Sequence, residues 1–176
     1  MGRFTGQVAI VTGGAQGIGL GIAKQLGIEG ASIAMWDLNP QMLGEAEKTL
    51  VCEGGRSLGI VCDVTRPDNV ERAMARTLEN FGSRIDVLVT AAGITGKTNV
   101  KTHEVDLADF ERVMELNVMG ILLCIKAVLP AKTVRELLLR WEASASECAP
   151  YVPPSHPSPL RVLVPHVGRQ GHLHGP

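Results

Sequence analysis

Short apolar runs alternate with helically spaced apolar positions along the first three-quarters of the chain. The pattern predicts strands at Gln7 to Thr12, Ser32 to Asp37, Ser57 to Cys62 and Val87 to Thr90, and helices at Ile18 to Ile28, Gln41 to Val51 and Pro67 to Phe81. Strand and helix taking turns in this way specifies βαβ units and a parallel sheet. Val87, Leu88 and Val89 are apolar on both faces, as in a strand covered from above and below. Gly30 and the pair Gly54 and Gly55 read as helix ends, and Thr65, Pro67 and Asp68 as cap, first-turn proline and acidic third residue.

A longer helix is predicted from Leu107 to Ala131. Phe110, Val113, Met114, Asn117, Ile121, Cys124, Ile125 and Val128 fall at helical spacing, so its inner face is apolar except for Asn117. Pro130 predicts a kink or break, after which Val134, Leu137, Leu138 and Trp141 keep the period through a second piece. From Glu142 onward the pattern stops: seven of the ten prolines and four of the five histidines lie there, and lysine is absent. Such a bias cannot build a packed layer, so residues 132–176 are expected to form a poorly ordered tail. Leu160 to Val164 alone has strand character and could pair with a free sheet edge.

Composition narrows the function without naming it. Of 176 residues, 45% are hydrophobic, enough for the core of one domain, taken as residues 1–131. The net charge of −1, from 17 basic and 18 acidic residues, gives no field to gather nucleic acid or an anionic membrane, and neither partner is expected. No segment is apolar enough to span a bilayer, since Val118 to Val128 is broken by Gly120 and Lys126. Cys52, Cys62, Cys124 and Cys148 lack paired or metal-ligand spacing, which points to reduced thiols and a cytoplasmic setting. His166, His172 and His174 sit among Gly, Arg and Gln with no element to fix them, so no metal site is expected.

The chemistry begins at the first strand-to-helix turn. Gly13, Gly17 and Gly19 follow Val8 to Thr12 and open the first helix. A bound pyrophosphate needs backbone N–H groups at a helix N-terminus and no Cβ where the chain approaches it. No Gly-Lys-Ser/Thr follows, so this is not an NTPase loop. Asp37 ends the second strand, 18 residues after Gly19, where a carboxylate can accept bonds from both adenosine-ribose hydroxyls and would repel a 2′-phosphate. With no arginine at Ala15, Gln16, Leu38 or Asn39, NAD is favoured over NADP. The competing reading is that Asp37 merely caps the helix after Pro40.

Taken together, these residues resemble the short-chain dehydrogenase/reductase family. The resemblance rests on Thr12 to Gly19, on Cys62, Asp63 and Val64 after the third strand, on Ala91, Ala92 and Gly93 after the fourth, and on Leu116, Asn117 and Val118 in the long helix. It implies an α/β fold, a partial Rossmann-type doubly wound parallel sheet in strand order 3-2-1-4. It implies NAD-linked hydride transfer between an alcohol and a carbonyl, with cofactor contacts at Gly13, Gln16, Gly17, Ile18, Gly19, Asp37, Asp63, Val64, Ala91 and Gly93. Asp63 is expected to face the adenine amino group, with the Val64 backbone beside the ring. Intact relatives would bind NAD(H) and a small alcohol or carbonyl, and often pair through the long helix, here residues 107–131. One departure lies inside the pattern: Thr90 stands where the family usually has Asn, and its hydroxyl is expected to bond across to the neighbouring strand.

Of the catalytic residues that the resemblance implies, only Asn117 is present. Such enzymes use a Tyr as proton donor or acceptor, a Lys four residues later to lower its pKa, and a Ser to orient the carbonyl. Here the sole tyrosine, Tyr151, has Ser155 four residues on, and the last lysine is Lys132. Ser144 and Ser146 lack a preceding apolar strand to aim them. The chain is therefore expected to retain cofactor binding at most. A frame shift or mis-splicing near Ala131, a truncated binding module that senses NAD or pairs with a relative, and an unstable fragment are the three readings of its second half.

Overall fold

The computed structural model describes residues 2–52, 56–130 and 161–163. Five strands, β1 (Val8–Thr12), β2 (Ser32–Asp37), β3 (Arg56–Val61), β4 (Val87–Thr90) and β5 (Arg161–Leu163), form one parallel sheet in the order β3-β2-β1-β4-β5. Helices α1 (Gly17–Ile28), α2 (Pro40–Cys52) and α3 (Pro67–Phe81) cross between the first four strands. The predicted order 3-2-1-4 is thus observed, with β5 added beside β4. Val87 pairs with Arg161, Leu88 with Val162 and Val89 with Leu163, so the tail run with strand character does take a free edge.

Strand periodicity divides the core in two. Successive side chains point to opposite faces, so Ala9, Val11, Ile33, Met35, Val87 and Val89 pack with Ala23 and Leu26 of α1 and Leu43, Ala46 and Leu50 of α2. Ile10, Ala34, Trp36, Ile60 and Leu88 face the other way, onto Val70, Ala73 and Met74 of α3. The one large polar group in that second layer is satisfied: the Trp36 indole donates to Thr77 Oγ1 at 3.1 Å, and Thr77 donates to the Ala73 carbonyl at 2.8 Å.

The long helix differs from its prediction. It runs as α4 (Leu107–Met114), a π-helical stretch over Glu115–Gly120, and α5 (Ile121–Val128). The wider π turn shifts the phase of everything before it. Cys124 and Val128 are buried against the second layer as expected, whereas Phe110 and Met114, read as inner-face residues, are 52% and 42% exposed. A second correction concerns α3, whose cap position is Arg66, with Pro67 in the first turn. Thr65 instead donates its hydroxyl to Asp63 Oδ1 at 2.7 Å. Gly30, at φ +95°, closes α1 as predicted. Gly54, Gly55, the piece after Pro130, Tyr151, Ser144, Ser146 and the tail histidines lie outside the described residues.

Candidate functional site

β1 is the switch point of the sheet: β2 lies on one side of it and β4 on the other, and each is reached by its own crossover. A crevice opens beyond the carboxyl ends of the strands at such a point. The Gly-rich loop turns there from β1 into α1. Gly13 has φ +63°, and a Cβ on it would lie 2.8 Å from the Ala92 backbone nitrogen. A Cβ on Gly19 would lie 2.1 Å from the Gly13 carbonyl oxygen. Glycine at both positions lets the loop fold back on itself and against the end of β4, leaving the α1 N-terminus open to the crevice.

A cleft of about 400 Å³ runs along this loop. Gly13, Gln16, Ile18, Gly19, Asp37, Val64, Ala91 and Gly93 line it, bringing together eight of the predicted cofactor residues. Gly17 and Asp63 are not among its lining. Gly17 takes φ +54° and begins α1, while Asp63 Oδ1 accepts from the Thr65 N–H at 3.0 Å as well as from the Thr65 hydroxyl. Leu38, Asn39, Cys62 and Leu116 also line the cleft and were not predicted. The first two follow Asp37 directly, so position after the strand end was the available signal.

Asp37 is held from both sides. Its Oδ2 accepts from the Ala15 N–H and its Oδ1 from the Asn39 N–H, each at 3.1 Å. The carboxylate therefore ties the glycine loop to the turn after β2, and each oxygen keeps lone-pair capacity for a further donor. It does not cap α2. Asn39 does so, accepting from the Gln41 and Met42 N–H groups at 3.1 Å.

A second cleft, about 640 Å³, shares Ile18 and Ala91 to Ile94 with the first and extends to Thr95, Gly96, Arg112, Asn117 and Ile121. Asn117 sits in the π-helical stretch. Its Oδ1 accepts from the Ile94 N–H at 3.0 Å and its Nδ2 donates to the Ile94 carbonyl at 2.8 Å, so the side chain clamps the chain just past β4. Gly93 fits beneath it, since a Cβ there would lie 3.2 Å from Asn117 Oδ1.

Thr90 departs from expectation. Its buried hydroxyl has no hydrogen-bond partner among the described residues, while the bond across the strands comes from Thr12, whose Oγ1 accepts from the Ala92 N–H at 3.2 Å. In the wall of the first cleft, burial pushes the Cys62 thiol up to about 12, with the Asp63 charge adding to it. Burial likewise pushes Cys124 up to about 12, with Cys62 contributing. Both are free thiols, neutral at ordinary pH.

A parallel sheet with a glycine loop, a strand-end carboxylate and a crevice at its switch point defines an α/β protein of the Rossmann type. The family model for short chain dehydrogenase matches residues 7–136, and the chain belongs to that family of oxidoreductases. Secoisolariciresinol dehydrogenase of Forsythia intermedia is 36% identical over 135 residues, covering 74% of this chain and 48% of that protein. The 2-dehydro-3-deoxy-L-rhamnonate dehydrogenase (NAD(+)) of Sphingomonas sp. (strain SKA58) is 36% identical over 129 residues, covering 73% and 49%. Among solved structures, an NAD+-bound xylitol dehydrogenase superimposes with TM-score 0.69 at 36% identity, over 72% of this chain and 48% of that one. The chain spans about half the length of the curated relatives it matches. No helix among the described residues is long and apolar enough to cross a membrane.

Proposed function

We propose that this chain binds NAD(H) and, as it stands, does not turn it over. The adenosine half occupies the first cleft, with its ribose hydroxyls on Asp37, the pyrophosphate over Gly13 to Gly19 at the α1 N-terminus, and the nicotinamide end in the second cleft beside Asn117. The observation that carries this reading is the fixed Asp37 carboxylate beside the glycine loop. No Arg or Lys among the described residues lines the first cleft to reward a 2′-phosphate, which supports NAD over NADP. The reaction of the class is hydride transfer between an alcohol and a carbonyl. The chain holds no Tyr with Lys four residues on, and losing a positioned acid/base costs a factor of roughly 10² to 10⁴ by itself.

NADH fluorescence titration tests the binding. Saturable binding that Asp37→Ala weakens roughly tenfold or more is expected, since a hydrogen bond to a charged group is worth about 1.5 to 3 kcal/mol. Absence of saturable binding, or NADPH binding more tightly than NADH, overturns the reading. Turnover of alcohols or ketones above background would overturn the second half.

β5 on the β4 edge favours a folded binding module over an unstable fragment with an open strand. Leu107, Phe110, Met114, Val118 and Leu122 are exposed along the outer side of α4, the π-helical stretch and α5. That stripe supports pairing of two copies through this helix, an isologous contact. Sedimentation velocity checks it: a dimer dispersed by Phe110→Lys is expected, and a wild-type monomer rules it out.

A further inference from the structure

Ile94, Thr95 and Gly96 line the second cleft at the start of the loop that runs to Asp106, and this start is fastened at two points. Asn117 clamps it at Ile94. Asp109 fastens it three residues later: its Oδ2 accepts from the Lys97 N–H at 2.7 Å, while its Oδ1 accepts from Arg112 Nη2 at 2.8 Å. Asp109 is the third residue of α4, where a carboxylate ordinarily turns back to cap the helix or meets the helix dipole. Capping here is done by Asp106, whose Oδ1 accepts from the Ala108 N–H, so Asp109 is spent on a backbone group twelve residues away.

The fit around this contact is close. Gly96 takes φ +66°, and a Cβ on it would lie 2.7 Å from Asp109 Oδ2 and 2.8 Å from Val113 Cγ2. Thr95, Gly96 and Arg112, which flank the contact, all line the second cleft, whereas none of them lines the first. The Asp109 side chain is only 14% exposed although α4 lies at the surface. The N–H of Lys97 and the guanidinium of Arg112 together hold its carboxyl below the usual range.

We propose that Asp109 is a positioning residue for the nicotinamide end of the cofactor: through Lys97 and Arg112 it sets the wall of the second cleft and leaves the first untouched. The proposal rests on the NAD reading above. Asp109 touches no cofactor group itself; it fixes the main chain and the guanidinium that bound the space the cofactor's far half enters.

The test compares two nucleotides in calorimetric titrations of the full chain. AMP needs only the first cleft, and NADH needs both. Asp109→Ala is expected to weaken NADH about tenfold, because the cofactor's far half must then order a wall that is no longer held in place, while AMP affinity stays within about twofold. Asp109→Asn, which retains an acceptor for the Lys97 N–H, is expected to recover most of the loss. Weakening of AMP and NADH by the same factor, or of neither, overturns the proposal. Amide exchange in the ligand-free chain judges the fastening separately: Lys97 should exchange about tenfold faster in Asp109→Ala while Val89 in β4 does not change. An unchanged Lys97 rate also overturns it. A wild-type chain that binds neither nucleotide removes the NAD reading, and the positioning role with it, while a faster Lys97 rate would still identify the fastening.

Discussion

Replacing Gly19 by alanine puts one methyl group where the structure has no room. The added carbon would lie 2.1 Å from the Gly13 carbonyl oxygen and 2.7 Å from its carbon, both main-chain atoms that cannot rotate away. The loop must open, and opening it disturbs Gly13, itself wedged against Ala92. Overpacking of this kind costs about 1 to 3 kcal/mol, at the upper end when backbone has to move. Two neighbours calibrate the effect. Gly21 lies in the same helix with nothing within 4 Å of an added Cβ, so Gly21→Ala is expected to stabilise by about 0.5 to 1 kcal/mol through helix propensity. Gly17 has open space but φ +54°, so Gly17→Ala carries only the left-handed penalty of about 1 to 2 kcal/mol. Urea melts of the three variants, with NADH titration at fixed protein concentration, give the order Gly21→Ala, wild type, Gly17→Ala, Gly19→Ala, and the last should lose NADH binding. A Gly19→Ala protein that melts and binds like wild type would refute the reasoning.

Thr90→Val removes a buried hydroxyl that has no partner among the described residues while keeping the shape, so the unfolding free energy should hold or rise by about 1 kcal/mol in the same melts; a fall would reveal a partner for the hydroxyl. The Cys62 and Cys124 thiols, raised to about 12, should resist maleimide at pH 8 in the folded chain and react on unfolding, as mass mapping would report. Because their folded pKa lies above the unfolded one, the stability they contribute is present below about 9 and is lost as pH rises towards 12. Glu29 runs the opposite way: bonds from Arg3 and Gln25 lower it to about 2, so its contribution is present above the unfolded value of 4.5 and fades as pH falls towards 2. Acid titration of Glu29→Gln beside wild type should show the two curves converging over that window.

Strand positions were legible because their apolar runs are short, bounded by turn residues and buried on both faces; β4 matches its prediction residue for residue. The glycine loop and the place of Asp37 at a strand end were legible because a tight strand-to-helix turn admits only glycine where the backbone folds against itself, at a fixed spacing from the strand. The outer face of the long helix was not, since a π turn breaks the period by an amount that composition does not record, and Phe110 and Met114 were assigned inward as a result. Thr65 was misread as a cap because the nearer Asp63 carboxylate competes for its hydroxyl. The double role of Asn117 on Ile94, and the reach of Asp109 to Lys97, depend on contacts across 23 and 12 residues, which local spacing cannot encode.

The strand order has a consequence for how the molecule is made. β1 to β3 and their two helices are neighbours in sequence and can associate as soon as they leave the ribosome, whereas the bond from the Val8 N–H to Asp86 closes over 78 residues. Such distant pairing is the slow step of an α/β topology. Until β4 arrives, β1 has an open side and the glycine loop has nothing to rest against, so the growing polypeptide has no crevice to offer a nucleotide. Ligand present during synthesis should therefore do nothing for the early pieces and act only on the final closure.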